Sequence, residues 1–253
     1  MIQCGFCLDN VAKLHKKSHT LPKWMTKHAV SPRGVHLSKT SNPKITQRSQ
    51  WAEIICEGCE KLFSKFDTYA ANLFGEDSKE FIEKNRIVAE RFRYPETDVF
   101  FYRIKGINAK ELQKFILSVV VRQNLFLLKN GEDSIIAADQ QSRMRMIIQE
   151  DKFDAGSFPI QIFNTDRDCV ALPPVVISSD GSIRFMGAGS LVIVHMNAEN
   201  LVEILEMVLN ENENFFVERS SAQIGIMEDV KQMISEMPQS SKDYVNQKLS
   251  LKK

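Results

Sequence analysis

Long apolar runs are missing from this 253-residue chain. The strongest of them, such as residues 115–121, fall far short of the roughly twenty residues a helix needs to cross a bilayer. No membrane partner is expected. An excess of one charge is missing too: 33 Lys and Arg balance 32 Asp and Glu, leaving a net charge of +1. The whole-chain balance therefore favours no particular partner. Residues 1–14 lack the basic start and apolar core of a secretory signal, being interrupted by Cys4, Asp9 and Lys13. A soluble, cytoplasmic protein is the expectation. No internal repeat is visible. Cysteines number only five, and in a reducing compartment paired cysteines mean a metal site more often than a disulfide.

What is present is sufficient for a core. Apolar residues make up 43% of the chain, and the length suits one large domain or a small domain joined to a medium one. Charge is unevenly placed. Residues 1–50 hold seven lysines and two arginines against the single acid Asp9, a local net charge of +8. Four of the five histidines (His15, His19, His28 and His36) lie there as well. Such asymmetry points to nucleic acid or another polyanion, or to nothing more than a solvated basic surface.

Four of the five cysteines fall into two Cys-x-x-Cys pairs, Cys4-Gly5-Phe6-Cys7 and Cys56-Glu57-Gly58-Cys59. A two-residue spacer lets both thiolates of a pair turn towards one ion, and two pairs complete the tetrahedral set that structural zinc requires. The ion closes a polar loop of roughly fifty residues that has little else to hold it. Gly5 and Gly58 suit the tight turns of such knuckles. A redox dithiol and unrelated free thiols are the other readings. Cys169 stands alone and reads as a plain structural cysteine.

Between the pairs, Pro22, Pro32 and Pro43 argue against a packed helix pair. Residues 13–20, Ile45 and 51–55 read as short strands. Residues 58–74 read as an amphipathic helix closed by Gly75, with Leu62, Phe66, Tyr69 and Leu73 at helical spacing. Glu60, Ser64 and Asp67 fall together on the opposite face.

These front-end residues resemble a known family. Cys4-x-x-Cys7, then Lys17-Ser18-His19-Thr20-Leu21-Pro22-Lys23, then Cys56-x-x-Cys59-Glu60 running into a helix, is similar to the zinc-bearing HNH (ββα-metal, His-Me finger) endonucleases. Residues 114–122 and Ser142-Arg143-Met144-Arg145-Met146 more loosely resemble uncharacterised bacterial proteins with the same front end, some associated with antiviral defence. The resemblance implies an HNH-type endonuclease that hydrolyses phosphodiester bonds, DNA more than RNA. His19 would be the general base, with an unperturbed pKa near 6.5 that suits the role. A magnesium or manganese ion would be held by Glu60 or Asp67. Lys16, Lys17, Lys23 and Lys27 would attract the phosphate backbone. The sequence departs from the family at two ligand positions. Ser18 stands where an acid or histidine usually precedes the base, and Glu60 stands where the helix usually offers His or Asn. Asn42 alone is available to orient the base. A non-catalytic zinc module that docks on nucleic acid or on a defence-complex partner is the alternative. His19 would then be a structural histidine or a substitute zinc ligand, Glu60 an acid favouring the helix dipole, and Asp67 a solvated residue.

The expected fold class is α+β. A small zinc-stapled, ββα-metal-like module (1–75) leads through a helical connector (76–98, with a helix over 79–93) to a larger mixed domain (99–253). In that domain the periods predict strands at 98–104, 159–163, 175–178, 183–185, 191–196 and 215–217. Helices are predicted over 109–128, 132–149, 199–209 and 222–237. Gly187-Ala188-Gly189 precedes a strand rather than following one, so it reads as a turn and not as a dinucleotide fingerprint. His195 reads as a satisfied core histidine, and Arg122 as a cation that pairs with a carboxylate or snorkels, with anion binding the other reading. No catalytic constellation is visible in this part, and recognition of a partner protein or a ligand is the expected role.

Overall fold

A computed structural model describes residues 1–26, 34–36, 44–46, 50–93, 100–150, 153–164, 171–176, 181–197 and 208–218, with the backbone alone at 34–36 and 44–46. The front end runs β1 (Ile2–Gln3), β2 (Asn10–Val11), β3 (Ser18–His19), α1 (Lys23–Thr26), β4 (Gly34–His36), β5 (Lys44–Thr46), β6 (Trp51–Ala52) and α2 (Glu57–Phe74). Then come α3 (Ser78–Lys84), β7 (Val88–Arg93), β8 (Phe100–Lys105), α4 (Ala109–Lys129) and α5 (Ala138–Gln149). The chain continues through β9 (Ile160–Asn164), β10 (Leu172–Val176), β11 (Ile183–Gly187), β12 (Ser190–Val194) and β13 (Asn214–Glu218). The architecture is mixed α+β, with a four-cysteine cluster near the N-terminus followed by a larger part.

Seven strands form one sheet in the order β10-β11-β12-β9-β13-β8-β7. Every neighbouring pair is antiparallel except β13 and β9, which run parallel. β11 and β12 join through Ala188 and Gly189, both at positive φ, so the glycine-flanked segment is a turn, as its order in the chain suggests. That turn docks on the front end. Ala188 N–H donates to the Met25 carbonyl at 3.1 Å, and a Cβ at Gly187 would come within 2.8 Å of Met25.

The helix α4 sits at the centre of the packing. Asn108 caps it by accepting from Glu111 N–H at 3.1 Å, which satisfies one of the free donors of the first turn. Its buried residues run almost without a break from Ala109 to Leu125 and include Gln113, Lys114, Ser118, Arg122, Gln123 and Asn124. Burial on all sides follows from its place among other elements: it packs against α2 and α5. One apolar cluster runs from Cys4 and Phe6 through Phe63, Leu112 and Phe115 to Phe185 and Phe216. The front end and the sheet therefore share a core.

Most predicted elements stand within a few residues. Three differ. The helix expected over 79–93 stops at Lys84: Arg86 adopts a left-handed turn at φ 52, and Val88–Arg93 forms an edge strand on β8. Pairing overrides local helical preference there, with Glu90 bonded to Arg103 and Arg91 to Glu218. The helix expected from residue 132 begins at Ala138, because Asn124 Oδ1 accepts from Ile135 N–H and from the Ser134 hydroxyl, both at 2.8 Å. That pins the segment as a loop. Residues 172–176 form β10 at a sheet edge, where Pro173 and Pro174 accompany a register shift; an edge tolerates the missing donors. The helix expected over 222–237, that over 199–209 apart from Val208 and Leu209, and Cys169 lie outside the described residues. Among the described residues no helix is long and apolar enough to cross a membrane.

Candidate metal centre and basic ribbon

The first cysteine pair is held by a tight loop between β1 and β2. Cys4 N–H donates to the Asp9 carbonyl (2.9 Å) and Leu8 N–H to the Cys4 carbonyl (3.0 Å). Gly5 N–H then donates to the Ile54 carbonyl at 3.0 Å, locking this loop to the chain leading into the second pair. A Cβ at Gly5 would lie 2.8 Å from the Ile54 oxygen and 3.0 Å from Leu125, so close approach demands glycine here. Gly58 meets only the Cys56 sulfur at 3.8 Å, and nothing around it requires glycine.

The four sulfurs converge within 4.8 Å of one another. Cys4 and Cys59 are 3.8 Å apart, Cys7 and Cys56 3.9 Å, and Cys56 and Cys59 3.5 Å. A tetrahedral ion with Zn–S bonds of about 2.3 Å sets its sulfurs about 3.8 Å apart, so the set fits zinc. Cys4 is fully buried and Cys59 nearly so. Burial pushes the Cys7 thiol up to about 12. It pushes the Cys59 thiol up as well, reinforced by bonding to Cys56 and the charge of Cys4. The Cys4 thiol is also opposed by burial, but N–H donors from Cys56, Cys7 and Phe6 hold it below the usual range. Four sulfurs this close cannot all ionise unaided, and a dication held by them would supply the missing charge. Arg145 of α5 reaches the same loop, donating from Nη2 to the Gly5 carbonyl at 3.0 Å.

Beside the cluster runs an antiparallel ribbon of β3 and β6. Ser18 faces Ala52 and His19 faces Trp51. Hydrogen bonds from His15 N–H to Ile55 and from Thr20 N–H to Gln50 extend the pairing at both ends. The register puts His19 and Trp51 on one face and Ser18 and Ala52 on the other, and Lys17, in the turn before β3, reaches the Trp51 side. The consequence is a sorted ribbon. Ser18 is fully buried, and its Oγ has no hydrogen-bond partner. On the outer face Trp51 is 49% exposed, Lys17 Nζ stands 5.6 Å from its ring centroid, and half-buried His19 lies directly across. Lys13, Lys16 and Lys23 are exposed nearby in the chain.

On α2, Glu60 and Asp67 do share one face, but they are used differently. Arg122 donates from Nη1 to Asp67 Oδ2 at 2.9 Å and from Nη2 to Oδ1 at 2.7 Å. Its guanidinium is 1% exposed, lies 5.5 Å from the Phe63 ring and also donates to Ser118. Both Asp67 oxygens, expected to bind magnesium or face solvent, thus neutralise a buried cation on α4. Glu60 lies seven residues back, about 10 Å along the axis. Its Oε2 is buried without a hydrogen-bond partner. Among the described residues, Cys4, Cys7, Cys56 and Cys59 are the one group of three or more metal-ligating side chains. Ser64 is exposed.

Lys27, His28 and Asn42 lie outside the described residues, and His36 is described by its backbone in β4 alone. His195 Nε2 lies 2.8 Å from Gln161 Oε1, a satisfied histidine. Sequence reasoning read Trp51 as a strand residue only. Its place beside Lys17 and His19 becomes visible once the β3–β6 register is known. Arg145 carried no local signal beyond its place in Ser142–Met146. No family model, curated protein or solved structure matches the chain.

Proposed function

We propose that this chain binds nucleic acid through the outer face of its zinc-stapled ribbon. The observation that carries the reading is the convergence of Lys17, Trp51 and His19 on one exposed face, in the most basic segment of the chain. Lysines neutralise phosphates, an open indole offers a surface to bases, and a metal-held ribbon fixes both without a large core of its own. Lys16, Lys23 and Lys27 add positive charge to the same segment of the sequence. The test is binding of labelled DNA and RNA by the zinc-loaded protein across a salt series. Affinity should fall steeply with salt, and Lys17→Ala with Lys16→Ala should flatten the slope by about 1 to 2. Salt-independent or undetectable binding would reject the proposal.

A second reading, HNH-type cleavage of phosphodiester bonds, is favoured by a specific arrangement. His19 lies on the first strand of a ribbon whose second strand leads into α2, giving the strand–strand–helix order of ββα-metal enzymes, and Glu60 stands at the start of that helix with an unpartnered carboxylate oxygen. In this reading His19 takes a proton from the attacking water, and Glu60 holds the magnesium or manganese ion that neutralises the scissile phosphate. Ser18 and Asp67 are not part of it, the one buried and the other committed to Arg122. Plasmid DNA and RNA incubated with magnesium, with manganese and with chelator decide the matter. Divalent-ion-dependent cleavage lost in His19→Ala supports cleavage; intact substrate under every condition, with binding retained, leaves the binding reading alone.

A further inference from the structure

We infer that the ribbon selects unpaired nucleotides, with a base stacked on Trp51 and its phosphate beside Lys17; this rests on the nucleic-acid reading above. Trp51 is one of two tryptophans in the chain and is 49% exposed. Its counterpart shows what the core does with an indole when it can: Trp24 is half-buried and packs on Phe115 at 5.8 Å. Trp51 lies instead on the open side of a two-stranded ribbon, where its ring meets a cation, Lys17 Nζ at 5.6 Å. The pairing of Ser18 with Ala52 and His19 with Trp51 sets the indole on the outer face of the ribbon, beside His19 and Lys17.

The chemistry follows from geometry. Bases inside a duplex hide their faces in the stack, and an indole fixed on a strand cannot reach them. An unpaired base presents both faces and stacks on an aromatic ring with little regard to sequence. The exposed Lys17 ammonium stands over the ring, and its flexible stem lets it swing aside as a base stacks and turn to that nucleotide's phosphate. His19 across the strand pair adds a polar group at the same level. A duplex, by contrast, would meet only the lysines and gain nothing from Trp51.

The experiment uses the full chain carrying one zinc per molecule. Fluorescence anisotropy compares a single-stranded DNA of about ten thymidines, an RNA of about ten uridines and a duplex of the same length. Intrinsic tryptophan emission is followed in parallel. The single strands should bind more tightly than the duplex and quench emission. Trp51→Ala should weaken single-strand binding by roughly 5- to 100-fold and so remove the preference for single strands over the duplex. Trp51→Phe should retain part of the affinity and lose the quenching, because Trp24 then remains the only emitter. Zinc content and circular dichroism show that both variants stay folded. Equal binding of duplex and single strand, with Trp51→Ala silent, would overturn the inference while the nucleic-acid reading stood. Binding of none of the three would reject that reading and this inference with it.

Discussion

Replacing Asp67 by Ala should unfold this protein more readily than any surface change on α2. Two hydrogen bonds, at 2.7 and 2.9 Å, tie its carboxylate to Arg122, whose guanidinium is 1% exposed. The alanine variant leaves that cation buried against Phe63 and Ser118 with no counter-charge. Breaking a buried pair from one side costs about 3–5 kcal/mol. The Asp67 side chain is 21% exposed, so water reaches the pair from that side and the lower end of the range applies. At roughly 2–4 °C per kcal/mol for a chain of this size, the melting temperature should fall by about 6–12 °C. Urea unfolding of zinc-saturated protein, followed by circular dichroism, provides the free energy. The paired change Asp67→Leu with Arg122→Met should recover most of the loss, since well-packed apolar residues often replace a buried ion pair at no cost. An Asp67→Ala protein as stable as the parent would refute the structural role. If it had also lost divalent-ion-dependent cleavage, Asp67 would return to the ion site.

Three further outcomes are expected. Cys56→Ser should abolish zinc binding, measured as metal per chain by mass spectrometry, and release the fold of the first 75 residues to proteolysis; retained stoichiometric zinc would contradict the four-sulfur site. Gly5→Ala should destabilise by about 1–3 kcal/mol, because its Cβ would meet the Ile54 carbonyl at 2.8 Å, whereas Gly58→Ala, with only a sulfur at 3.8 Å, should pass almost unnoticed in the same denaturation assay. Arg145→Ala removes the 3.0 Å bond to the Gly5 carbonyl and a positive charge beside the thiolates. Zinc transfer to a chromogenic chelator should then become favourable at roughly 10- to 100-fold lower chelator concentration; an unchanged titration would show that α5 does not support the metal loop.

Local pattern carried some features and missed others for reasons that can be named. The helix over Glu57–Phe74 was legible from Leu62, Phe66, Tyr69 and Leu73 at helical spacing with glycine after them, although the face it buries is Phe63, Phe66, Ala70 and Leu73. The ribbon was legible as two short extended stretches, but its register was not. That register decides that Trp51 faces His19 rather than Ser18, and hence which side chains form the outer surface. Val88–Arg93 was misread because its exposed residues look helical until β8 offers a partner. Asp67 could be read as a charge on a polar face, but Arg122 lies 55 residues away in sequence, beyond the reach of any periodicity.

The sequence by itself determined the cysteine cluster: two Cys-x-x-Cys pairs have one economical use in tetrahedral coordination, and spacing is a local property. It determined the basic character of the front end and the α+β alternation for the same reason. Only the tertiary structure decided what the carboxylates do. Packing α4 over α2 brings a buried guanidinium to Asp67 and leaves Glu60 without a hydrogen bond at its inner oxygen. The cost of an unpaired charge in the core, not the helical wheel, assigns Asp67 its role.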